Sequence, residues 1–101
     1  MEIEKVFTFT GNSYEEAIIA LEKLKEFVMK KPENGKVYRF AYVNIDDDHG
    51  VENTISDGGR FNTERTSEKM KKLFEDSKEM LERNKNLKHF YFSGHYKKDM
   101  K

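Results

Sequence analysis

Residues 3–10 alternate between apolar and polar positions, with Ile3, Phe7 and Phe9 on one side together with Lys5, and Glu4, Val6, Thr8 and Thr10 on the other. A period of two predicts a strand that buries one face. Gly11-Asn12 breaks that pattern, and from Tyr14 to about Lys30 the period lengthens. Ala17, Ile18, Leu21, Leu24 and Val28 recur at helical spacing, while Glu15, Glu22, Lys23 and Glu26 fill the outer positions. Ser13 followed by Glu16 is a capping box, in which the hydroxyl satisfies an early backbone N–H and the carboxylate reaches back. Pro32 cannot continue the helix, and Asn34-Gly35 turns the chain.

Residues 36–45 predict a second strand with no polar side. Val37, Ala41, Val43 and Ile45 point one way with Arg39, and Tyr38, Phe40 and Tyr42 the other, so both sides need at least partial cover. Asp46-Asp47-Asp48-His49-Gly50 reads as a turn, residues 51–56 as a weak polar strand closing a hairpin, and Asp57-Gly58-Gly59 as another turn. A second helix is expected from about Glu64 to Asn84, with Met70, Leu73, Phe74, Ser77, Met80 and Leu81 as its inner stripe. Thr63 and Ser67 both qualify as its N-cap, and Asn84 and Asn86 suit a left-handed stop. A last strand over 87–96 carries Phe90, Tyr91, Phe92 and Tyr96.

The resulting order is strand, helix, strand, weak strand, helix, strand. It predicts a single α+β domain over 1–101 with the split β-α-β arrangement of ferredoxin-like domains. Two helices would cover one face of a mostly antiparallel four-stranded sheet, or of a three-stranded one if 51–56 is a loop. The other face then lacks an obvious cover. It is expected to display Val6, Thr8 and Thr10 from the first strand, Tyr38, Phe40 and Tyr42 from the second, and His89, Tyr91, Ser93 and His95 from the last. Arg39 falls on the inner side, where its head is expected to escape past the sheet edge.

Nineteen basic and nineteen acidic residues cancel among 101, so no whole-protein field gathers nucleic acid or anionic lipid. Charge is nonetheless segregated. Residues 44–59 hold five acids and no Lys or Arg, whereas 83–101 hold six basic residues and one acid. The absence of cysteine excludes disulfides and thiolate chemistry. The N-terminus lacks the features of a signal peptide and the longest apolar run, 17–21, is far short of a membrane span, so a cytoplasmic protein without a membrane partner is expected.

The candidate chemistry is sparse. No serine lies in a nucleophile elbow, and Gly35-Lys36 lacks the upstream glycine of a phosphate loop. The acidic turn offers oxygens, but Asn44 or Asp46 as a starting point fails the calcium-loop spacing, and neither a metal nor a cofactor is expected. Gly58, Gly59, Arg60 and Arg65 ahead of a helix have the ingredients of a weak anion nest, set against an ordinary glycine turn.

These observations point to a small non-enzymatic regulatory or interaction module. It would dimerise or dock a protein through the open face, with Tyr38, Phe40, Tyr42, His89, Tyr91 and His95 as contact residues. A single-stranded nucleic-acid platform is an alternative, disfavoured because ferredoxin-like RNA binders stack bases on central strands and the weak third strand has no aromatic. A cofactor-free enzyme with a dimeric sheet pocket, using His89 or His95 as base, is another.

Overall fold

The computed structural model describes residues 2–30, 36–47, 49–60 and 63–98. The elements are β1 (Glu2–Gly11), α1 (Tyr14–Met29), β2 (Lys36–Asp46), β3 (Glu52–Arg60), α2 (Glu64–Arg83) and β4 (His89–Lys98). They form the α+β, ferredoxin-like β-α-β-β-α-β arrangement, with an antiparallel sheet of four strands in the order β1-β4-β2-β3. The weak third strand is therefore a full one, and it is longer than expected. β1 and β3 are the edges, and the two ring-rich strands, β4 and β2, lie in the middle.

Both helices begin as their caps dictate. Ser13 Oγ accepts from Glu16 N at 3.2 Å and donates to the Glu16 carboxylate at 3.0 Å. Thr63, rather than Ser67, caps α2, accepting from Thr66 N at 3.0 Å. The stop of α2 differs from expectation: Asn84 has φ −126°, not a left-handed value, and its amide instead donates to Met80 O at 2.7 Å. A side-chain bond to an unpaired carbonyl does there what a left-handed turn would have done.

α1 packs over β1 and β4, and α2 over β3 and β2. Ala17, Ala20, Leu21, Leu24, Phe27 and Val28 of α1 meet Met70, Leu73, Met80 and Leu81 of α2 above Ala41, Val43, Ile45, Phe90 and Phe92 of the sheet. Ile18, expected in this stripe, is 38% exposed, and Phe27 takes the larger share of the burial. Phe27 packs edge-on to Phe7 at 5.5 Å and lies 5.3 Å from Tyr96. Gly94 lies beneath this cluster, where an added Cβ would overlap the Phe7 ring and come within 3.1 Å of Phe27.

Two departures from simple alternation matter. The pairing of β1 with β4 slips between Lys5 and Phe7, leaving Val6 as an extra residue. Such a bulge reverses which way the preceding side chains point. Glu4 therefore pairs with inward Tyr96, while Lys5 pairs with His95 and Ile3 with Lys97 on the open side. Ile3 is 60% exposed rather than part of the core. The second departure is at Asp57-Gly58-Gly59, which is strand and not turn: Gly58 pairs with Phe40 and Gly59 with Arg39. Glycine is needed because a Cβ on Gly58 would overlap Phe40, and one on Gly59 would sit 2.8 Å from Thr66 Oγ1.

Arg39 does not escape past the edge. It is buried at 4% exposure, and Nη1 donates to Lys30 O at 2.9 Å. α1 has no basic residue in its last turn. The guanidinium from β2 thus supplies the positive charge and hydrogen-bond donor that a helix C-terminus favours. Burial pushes its pKa down, with Tyr96 acting in the opposite direction, and arginine remains a cation there.

Candidate interaction face

Register fixes the open face as a grid. Across β1, β4, β2 and β3, the first row is Ile3, Lys97, Tyr38 and Arg60, and the second is Lys5, His95, Phe40 and Gly58. The third is Thr8, Ser93, Tyr42 and Ser56, and the fourth Thr10, Tyr91, Asn44 and Thr54. His89, Asp46 and Glu52 close the far end. All six sequence-predicted contact residues (Tyr38, Phe40, Tyr42, His89, Tyr91 and His95) occur in this grid.

The hairpin does not fold over the face. Residues 52–60 extend the sheet sideways as β3, and the connecting turn is built on Asp47, whose Oδ1 accepts from His49 N at 2.9 Å and Val51 N at 2.8 Å. Tyr38 stays 38% exposed and Phe40, Tyr42 and Tyr91 are half-buried. Deeper between them, Ser93 is 2% exposed and Asn44 7%. The Asn44 amide donates to Glu52 at 2.6 Å and to Thr54 at 2.9 Å. The middle of the face is thus a floor with fixed polar groups, not a mobile loop surface.

The rings are organised among themselves. Phe40 and His95 stack across β2 and β4 with centroids 4.6 Å apart and planes 11° from parallel. Lys97 Nζ lies 5.6 Å from the Phe40 centroid and 5.8 Å from that of Tyr38, within cation–π reach. Tyr42 meets Tyr91 edge-on at 5.8 Å. Burial, and then the Lys5 charge opposite it, push the His95 pKa below the ordinary 6.5, so the ring is neutral at pH 7. Its Nδ1 is buried without a hydrogen-bond partner among the described residues.

His89, by contrast, is exposed and bonded through Nε2 to Thr10 Oγ1 at 3.0 Å. Five strand residues separate it from His95, so the two histidines share the face without converging. The four anion-nest candidates are also dispersed. Gly58 and Gly59 are extended in β3, and the Gly58 N–H is taken by Asp57 Oδ1 at 2.8 Å. Arg60 stands in the Tyr38 row of the open face, and Arg65 lies in the first turn of α2. Among the described residues no group of three or more His, Cys, Asp or Glu is placed to hold a metal ion.

Charge on the face is polarised along the strands. Lys5, Lys97 and Arg60 occupy the first two rows, whereas Asp46 and Glu52 occupy the opposite end. Lys5 and Lys97 were not among the sequence candidates. Lys97 follows from continuing the alternation of β4 past His95, but Lys5 reaches this side only through the bulge at Val6, which has no composition signal. No family, curated protein or solved structure matches the chain. No helix among the described residues is long and apolar enough to cross a membrane.

Proposed function

We propose that this protein is a non-enzymatic interaction module that docks another protein surface on its open sheet face. The observation that carries the reading is the placement of Tyr38, Phe40, Tyr42 and Tyr91 on the two central strands, partly exposed on the side the helices leave uncovered. Large aromatic side chains with little rotamer freedom are favoured anchors at protein interfaces. Here they surround buried Ser93 and Asn44, and charged side chains lie toward both ends. Nothing in this arrangement requires chemistry, because His89 and His95 are separated and neither is paired with a carboxylate in the hydrogen bonds described.

A second reading, single-stranded nucleic-acid binding, gains from the strand order. The sequence disfavoured it for want of aromatics on central strands, and the central strands are in fact the aromatic ones. Lys5, Lys97 and Arg60 also lie near Tyr38 and Phe40 on the face. Against it, bases stack on open ring faces, while the Phe40 ring has His95 stacked on it and Lys97 over it. Protein docking uses ring edges as readily as faces.

A photo-crosslinking amino acid at position 42, with one at Glu79 on the exposed side of α2 as control, separates the two. Protein adducts of discrete mass from position 42 and not from 79 are expected. Adducts to nucleic acid alone, or none above the control, overturn the docking reading.

A further inference from the structure

We propose that the surface docked on this face is a second copy of the same chain, placed by a two-fold axis that runs across the strands through the Tyr42 row. The inference rests on the docking reading above and names its partner.

The face is polar from end to end. Cations stand at the end that holds Tyr38 and anions at the end that holds Asp46, eight residues further along β2. Two such faces laid together with their strands parallel would oppose like charges. A two-fold axis in the interface plane and perpendicular to the strands reverses one copy end for end. Each strand then lies over its own counterpart, antiparallel to it. Arg60 of one copy comes over Glu52 of the second, Lys97 comes over His89 one strand away from Asp46, and the same contacts repeat on the other side of the axis. The pattern is self-complementary, as a two-fold interface must be, and it is consistent with a chain of zero net charge.

The same rotation sorts the middle rows, with Lys5 coming over Thr10. The third row, with Tyr42 and Ser93, meets itself on the axis. Phe40 meets the buried amide of Asn44, and His95 meets Tyr91. Face-to-face sheets pack about 10 Å apart with strands within roughly 30° of alignment, a geometry this register accommodates.

The size of the face sets the strength. With strands about 4.8 Å apart and a rise of about 3.3 Å per residue, the four-stranded grid covers on the order of 500 Å² per copy. About 1,000 Å² in total is the lower bound for a specific interface, so a reversible dimer with a micromolar dissociation constant is expected.

The test is solution mass by analytical ultracentrifugation across roughly 5–500 µM, a range chosen to straddle that affinity. Wild type should move from the 12.0 kDa monomer toward twice that mass. Tyr42→Glu puts two like charges on the axis and should abolish the shift, with circular dichroism confirming the fold. The decisive arm uses two doubly reversed variants: Arg60→Glu with Lys97→Glu, and Asp46→Lys with Glu52→Lys. Each alone opposes like charges and should be monomeric, but an equimolar mixture pairs opposite charges at both ends and should restore the dimer.

A wild type that stays monomeric throughout overturns the proposal. So does a dimer unaffected by Tyr42→Glu, or a mixture that fails to associate when wild type does. A monomer whose position 42 crosslinks to a different protein, or which binds an oligonucleotide in a salt-dependent way, sinks self-pairing; the first of these leaves the docking reading standing and the second does not.

Discussion

His95 stands half-buried against the Phe40 ring, with Lys5 opposite it in β1 and Lys97 two residues on in β4. An imidazolium formed there would be partly desolvated and near the Lys5 ammonium, which is why its pKa falls below 6.5. The unfolded chain therefore takes up this proton first as pH drops. Since the unfolded state then binds more protons than the folded one, stability is present in full above about pH 6.5 and is lost as pH falls from there toward the depressed folded value. Denaturant midpoints measured from pH 7.5 down to 5.5, a window spanning the ordinary histidine pKa, should decline for wild type. The slope should flatten in His95→Gln; an equal slope in both would remove His95 as its source.

At the scale of elements, each helix start is held by a single hydroxyl. Ser13→Ala deletes the acceptor for Glu16 N and the donor to its carboxylate. It should cost about 1 kcal/mol of unfolding free energy, read as a lowered urea midpoint at unchanged slope. Capping is also where the chain is most readable, because Ser13-x-x-Glu16 is a local pattern whose physics is complete within four residues. The alternation of β2 and β4 was readable for the same reason, and it correctly sent Tyr38, Phe40, Tyr42, Tyr91 and His95 to one face. What could not be read depended on a neighbouring strand. The bulge at Val6 shows only against the register of β4, and it moved Ile3 out of the core and Lys5 onto the face. Gly58 and Gly59 mimic a turn in sequence, yet their reason is the closeness of Phe40 and Thr66. Arg39 looked stranded on an apolar side because its partner, the carbonyl of Lys30 that caps α1, is fixed only by the packing of α1 over the sheet.

For the whole molecule, the consequential feature is the strand order β1-β4-β2-β3. β1 and β2 each pair with β4 and not with one another, so the sheet has no continuous hydrogen-bonded path from β1 to β3 without it. A chain ending at Lys88 would keep the β2-β3 hairpin and both helical sequences but lose Phe90, Phe92 and Tyr96 from the core. It should show no cooperative thermal transition and should give a collapsed amide proton spectrum. A well-dispersed spectrum from that truncation would mean the remaining elements form a core of their own.

Protein synthesis proceeds from the other end. Of the four strands the keystone is the last to leave the ribosome, so β1 must wait for its pairing until residues 89–98 are made. Pairing β1 with β4 then closes a loop that holds both helices and the other two strands, the kind of distant contact that slows folding most. Any fusion or stalling sequence that keeps residues 89–98 inside the exit tunnel should hold the whole molecule in an unassembled state.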